Sequence, residues 1–216
     1  MLTKDGEEIK KRVRDFFKKG FKSSNKLYDV ALDGSVVLAT LDAKKRKRWD
    51  DCGESAKHRL KGAKSYEELA QMLIKVSILT RAGNCGEMAA LSAYYTVKTK
   101  FIKQSLVYVG ELSDPGDHAF CLVAPVKLDD KFKKFSSVSD FTKERAAKSW
   151  LIIDPWLNVV CNANDYLTKG GQKLDKWATD GKRVAWHAGT QGPGWYVPNG
   201  EYKTEFGNAP VELMPF

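Results

Sequence analysis

Three apolar runs of strand character succeed one another with no helical pattern separating them. They are Ser105-Leu106-Val107-Tyr108-Val109, His118-Ala119-Phe120-Cys121-Leu122-Val123 and Trp150-Leu151-Ile152-Ile153-Asp154. Leu157–Cys161 continues the series as a fourth. Strands in direct succession lack the crossover that parallel pairing needs, so they pair antiparallel. The helical patterns lie ahead of this block. Ile9, Val13, Phe16 and Phe17 recur at three-to-four spacing from Gly6 to about Phe21. Ser65, with Glu68 three residues on, opens a second helix through Leu69, Met72, Leu73, Val76 and Leu79. Arg81-Ala82-Gly83-Asn84 breaks it, and Gly86–Lys98 reads as a third. Helices first and strands after predict an α+β architecture, with helices packed on an antiparallel sheet.

At 216 residues and 43% hydrophobic content the chain suits one catalytic-size domain. Residues 1–62 are expected as a helical or mixed N-terminal appendage to a core over 63–216, or as part of one continuous domain. Leu27–Leu41 reads as a hairpin around Asp33-Gly34, the polar Lys131–Lys148 insert as a surface loop with a helical turn, and the last forty residues, holding Trp177, Trp186 and Trp195, as irregular structure. No stretch approaches the roughly 20 apolar residues of a membrane span. No apolar segment follows Met1, which predicts cytoplasmic synthesis without a signal peptide. An excess of 9 positive charges favours an acidic partner. The five bases Lys44–Arg48 have the composition of a nucleic-acid patch. Only Trp49 adjoins them as a stacking aromatic, so a solvated loop is the better reading and nucleic acid is not expected as a partner.

Four cysteines, Cys52, Cys85, Cys121 and Cys161, are spaced by 33, 36 and 40 residues. That pattern holds no C-x-x-C pair, so neither a zinc site nor a disulfide framework is expected. No phosphate-binding glycine motif or calcium ligand cluster is present, and no metal or cofactor is implied. Cys121 and Cys161 sit in apolar β-runs and read as core. Cys52, near His58, is undecided.

Cys85 differs from the others. It lies in Ala82-Gly83-Asn84-Cys85-Gly86-Glu87-Met88-Ala89, among small residues at the predicted start of a helix. Unpaired N–H groups and the positive end of the helix dipole stabilise an anion there. A thiolate so placed is a better nucleophile at neutral pH, and the same N–H groups can donate to an oxyanion. Asn84 and Gly86 are candidate contributors to that hole. Glu87, in the first turn, is stabilised by the dipole and opposes thiolate formation. A nucleophile needs a base, and of His58, His118 and His187 only His118 stands at the mouth of a half-buried β-run. Asp154 closes an apolar strand and is locked by Pro155, so it suits the role of fixing an imidazole in one tautomer. Asp117 is a weaker alternative orienter. Trp156 either roofs the His–Asp pair or packs in the core.

The order Gly83-Asn84-Cys85-Gly86-Glu87, Asp117-His118-Ala119-Phe120 and Asp154-Pro155-Trp156 resembles the papain-like/transglutaminase-like superfamily, nearest to bacterial secreted effector and toxin enzymes. The resemblance spans Ala82–Cys161, 80 of 216 residues. It implies Cys85 as nucleophile, His118 as general base and acid, and Asp154 as orienting carboxylate. It further implies acyl transfer through a thioester on a protein glutamine (transglutaminase or deamidase), and translocation into a host cell by a specialised secretion system. A cysteine protease on the same triad is the rival within this chemistry. A non-catalytic basic module docking an acidic host protein is the rival outside it.

Overall fold

A computed structural model of the chain describes residues 3–17, 26–27, 63–75, 83–114, 116–187 and 193–216. Its elements run α1 (Thr3–Phe16), β1 (Lys26–Leu27), α2 (Tyr66–Lys75), α3 (Cys85–Lys100), β2 (Val107–Leu112), β3 (His118–Val123), β4 (Lys134–Phe135) and α4 (Val138–Lys143). They continue as β5 (Leu151–Asp154), β6 (Val159–Asn162), α5 (Tyr166–Thr179), β7 (Arg183–His187), β8 (Pro193–Tyr196), α6 (Glu201–Asn208) and β9 (Val211–Pro215). The architecture is α+β. Six strands form an antiparallel sheet in the order β4-β9-β2-β3-β5-β6, and β1-β7-β8 form a smaller one. No helix among the described residues is long and apolar enough to cross a membrane.

Every residue of β3 is buried, which its continuous apolar run requires. Strand alternation puts His118, Phe120 and Leu122 on one face and Ala119, Cys121 and Val123 on the other. Helices cover both. On the Cys121 face, Thr96 of α3 hydrogen-bonds that thiol, and α1 packs so closely that a Cβ on Gly6 would lie 2.7 Å from Val160. On the opposite face Phe120 meets Phe141 of α4 and Tyr166 of α5, at ring-centroid distances of 6.0 and 4.9 Å. Ile9, Val13 and Phe17 belong to the same apolar core as the sheet.

The α3 helix is buried nearly all round, with eleven of its sixteen residues inside. Its two buried hydroxyls are satisfied within the helix, Ser92 donating to the Met88 carbonyl and Thr96 to that of Ser92, both at 2.8 Å. Lys100 in its last turn reaches Glu8 at 2.6 Å and ties α3 to α1.

Two stretches differ from their sequence reading. The Lys131–Lys148 insert is not a surface loop. It contributes β4 and α4, and Phe132, Phe135 and Phe141 cluster with Trp150 at 5.9–6.3 Å. The described residues of the tail are regular: they place Trp177 in α5, then form β7, β8, α6, and β9 in the interior of the sheet between β4 and β2. In the middle of α5, a Cβ at Gly170 would press on Phe206 of α6 at 3.2 Å. Glycine there lets the two helices approach. Only Lys26–Leu27 is described near the expected hairpin; residues 28–62, with Lys44–Arg48, Cys52 and His58, lie outside the described residues, as do 76–82.

Candidate active site

The Cys85 segment becomes a helix start because its cap is built into the sequence. Asn84 is the N-cap, and the Glu87 carboxylate reaches back to the Asn84 backbone N–H at 2.8 Å. Gly83 is required beneath this cap, since a Cβ there would lie 2.7 Å from Glu87 Cβ and 3.0 Å from the Phe17 ring. Gly83→Ala is therefore expected to displace the Glu87 side chain and destabilise the fold by about 1–3 kcal/mol, read as a lowered midpoint in thermal unfolding. The Asn84 backbone N–H, held by Glu87, is not free for an oxyanion. Cys85 and Gly86 contribute the next N–H groups of the helix start, which no carbonyl of the helix can reach. Both residues line a cleft of about 420 Å3 with Tyr66, Glu111, Leu112, Asp117 and His118.

His118 begins β3 on the same face as Asp154. Continuing the register from Cys121↔Ile153 sets Asp154 across from Phe120, one diagonal step from His118. The His118 Nε2–H donates to Asp154 Oδ2 at 2.8 Å, and neither side chain has any exposure. Two further donors hold the carboxylate, the Tyr166 hydroxyl to Oδ2 at 2.8 Å and the Leu157 N–H to Oδ1 at 2.9 Å. The turn after Asp154 is anchored from α1, where Arg14 donates to the Pro155 carbonyl at 2.8 Å.

Burial is the largest single influence on His118 and disfavours its charge. The Asp154 charge and hydrogen bond, with smaller contributions from Cys85, outweigh it and raise the imidazole to about 10. Burial likewise pushes Asp154 up, and the His118 charge and its three donors more than reverse this, leaving the carboxyl below its ordinary value. The pair is therefore imidazolium and carboxylate at neutral pH. His118 Nδ1 then carries a buried proton with no aligned acceptor. The Cys85 thiol is near enough to raise His118, but it is not aligned with Nδ1; catalytic hydrogen bonds commonly tighten only when substrate binds.

Cys85 retains 8% exposure at the cleft. Cys121 and Cys161 are buried free thiols, pushed up by burial to about 12. Trp156 does not line the cleft. Its ring lies 4.9 Å from the imidazole and is backed by Trp177 at 5.1 Å, so it packs against His118 within the core. Asp117 is exposed on the cleft rim at φ 35°, a strained conformation for a non-glycine residue, and takes no part in orienting His118.

The structure thus brings Cys85, His118 and Asp154 together, places Gly86 at the cleft and Trp156 over the imidazole, and leaves Asn84 as a cap. Sequence reasoning missed Tyr166, Tyr66 and Glu111. Nothing local marks Tyr166, twelve residues past Asp154 on a helix whose glycines disguise it. Glu111 carried a signal, as a lone carboxylate in a buried strand, but the strand was expected to end at Val109. Among the described residues no group of His, Cys, Asp and Glu is arranged to hold a metal ion. The chain matches no protein-family model, no curated protein and no solved structure, so its own geometry carries the functional reading.

Proposed function

We propose that this chain is a cysteine-dependent acyl transferase acting on glutamine side chains of proteins, as a transglutaminase or deamidase. One observation carries the reading: a thiol at a helix start beside the unpartnered ring nitrogen of a buried histidine, whose other nitrogen is held by a buried carboxylate. The Cys85 thiolate attacks the carboxamide carbon, and the N–H groups of Cys85 and Gly86 receive the developing oxyanion. His118 gives its Nδ1 proton to the departing ammonia, leaving a thioester on Cys85. His118 then takes a proton from water or a lysine amine, which displaces the thiolate and yields glutamate or a new amide. The slight exposure of Cys85 and the complete burial of the His118 side chain favour a slender side-chain carboxamide over a peptide main chain laid across an open groove. The setting we infer is that of a bacterial effector modifying a host protein.

The test adds the protein, with a biotin-linked primary amine, to a eukaryotic cell lysate. Biotin incorporation or glutamine-to-glutamate conversion by peptide mapping is expected with the wild type and absent with Cys85→Ala. Cys85-dependent peptide-bond cleavage without either change would replace this reading with a protease.

A further inference from the structure

The protein as a whole is strongly basic, yet the cleft is not. Glu111 and Asp117 face it; among the described residues Lys64 is the one lysine or arginine in its lining, and the His118 imidazolium there is neutralised by Asp154. Glu111 is half-buried on β2, on the face opposite to His118, since it pairs with Ala119 while Leu112 pairs with His118. The Tyr66 hydroxyl at the first turn of α2 donates to one of its carboxylate oxygens. No lysine or arginine pairs with it among the described residues, although its cross-strand neighbour Glu212 is matched by Lys134 at 3.1 Å. Among the described residues this half-buried carboxylate has one neutral donor and no cationic partner, an arrangement that suits a cation arriving with a ligand. A second feature of the same cleft marks it as a place where a ligand sits: the wholly buried His118 ring lines it, with Nδ1 unpartnered.

We infer that Glu111, steadied by Tyr66 and aided by Asp117 on the rim, forms a subsite for the cationic side chain of a lysine or arginine of the protein substrate, beside the group that Cys85 attacks. The inference rests on Cys85 being the reacting thiol and names the chemistry that selects its substrate. The positive surface and the acidic cleft act at different ranges. Screening limits exposed charges to roughly 8–10 Å, so a substrate protein acidic overall can still present a basic residue to Glu111. The residue is a specificity determinant and takes no part in bond making.

The test measures second-order rates of Cys85 modification by three methanethiosulfonates: 2-aminoethyl (cationic), 2-sulfonatoethyl (anionic) and methyl (neutral). Each rate is normalised to that of a neutral model thiol, N-acetylcysteine amide, and Cys85 is identified by peptide mapping. The cationic reagent is expected to exceed the anionic one by about tenfold or more at low salt, against the sign of the protein's net charge. Glu111→Gln is expected to reduce that ratio about fivefold, and Asp117→Asn, at an exposed position, by less. The ratio is taken between reagents on the same protein, and the wild-type value stands even if a variant fails to fold. A wild-type ratio near one or favouring the anion, or a ratio unchanged in folded Glu111→Gln, overturns the subsite. The neutral reagent reports on the thiol itself. Slow neutral labelling at pH 7 with the cation preference intact supports the subsite while removing the acyl-transfer reading.

Discussion

Asp154→Ala is expected to destabilise the protein by about 3–5 kcal/mol and to abolish activity together. The substitution removes the acceptor of three buried donors, the His118 Nε2–H, the Tyr166 O–H and the Leu157 N–H, all within 2.9 Å. Without the carboxylate charge, burial is left as the dominant influence on His118 and drives it to the neutral form. Asp154→Asn separates the two losses. The amide oxygen can still accept hydrogen bonds, so the stability loss is smaller, while the missing charge lowers acyl transfer by roughly 10^4-fold, the scale seen when a triad carboxylate becomes an amide.

The pair also fixes the pH dependence of stability. The folded value of His118 lies above its ordinary one, so its contribution is full below about 6.5 and is lost as pH rises through about 10. Asp154 is held below 3.8, so its contribution is full above that value and is lost as pH falls through the depressed one. Stability is thus expected to fall between about pH 6.5 and 10, with a slope of at most about 1.4 kcal/mol per pH unit. Denaturant titrations across this range should show that fall in the wild type and its loss in Asp154→Asn.

Cys85→Ala is expected to do the opposite, removing chemistry and sparing the fold. The thiol is at the cleft rather than in a closed core, and no hydrogen bond to it is needed to satisfy a helix or strand. A stability change within about 1 kcal/mol is expected, with activity reduced by roughly 10^4-fold or more. Residual activity near the wild-type level in folded Cys85→Ala would remove Cys85 from the mechanism.

How far the site was legible follows from what each residue needs from its neighbours in sequence. Cys85 is announced by its own cap, Gly83-Asn84 before it and Glu87 after it, and His118 and Asp154 stand at the ends of runs whose period and composition are those of buried strands. Ser65 and Glu68 likewise mark α2, where the Glu68 N–H donates to Ser65 Oγ at 3.2 Å and its carboxylate accepts from the Lys64 N–H at 2.7 Å. Tyr166 and Phe206 matter only through tertiary contact, and no local pattern reports which helix lands on His118. The interior strand β9 did show alternation, Val211 and Leu213 buried between Glu212 and Met214, but five residues after a glycine-rich stretch give that period little weight. The α4 insert was hidden by its lysines, which lie on the solvent side of an aromatic cluster.

The proposed mechanism makes Cys85 the nucleophile that His118 serves, and the rate of iodoacetamide modification at each cysteine at neutral pH tests it most directly. Cys85 is expected to react readily from the cleft, and Cys121 and Cys161, pushed up to about 12 by burial, to stay unmodified in the folded protein. His118→Ala should slow the modification of Cys85 in the folded protein. A wild-type Cys85 that reacts only as fast as its buried neighbours, or whose rate is unchanged by His118→Ala, would contradict the account.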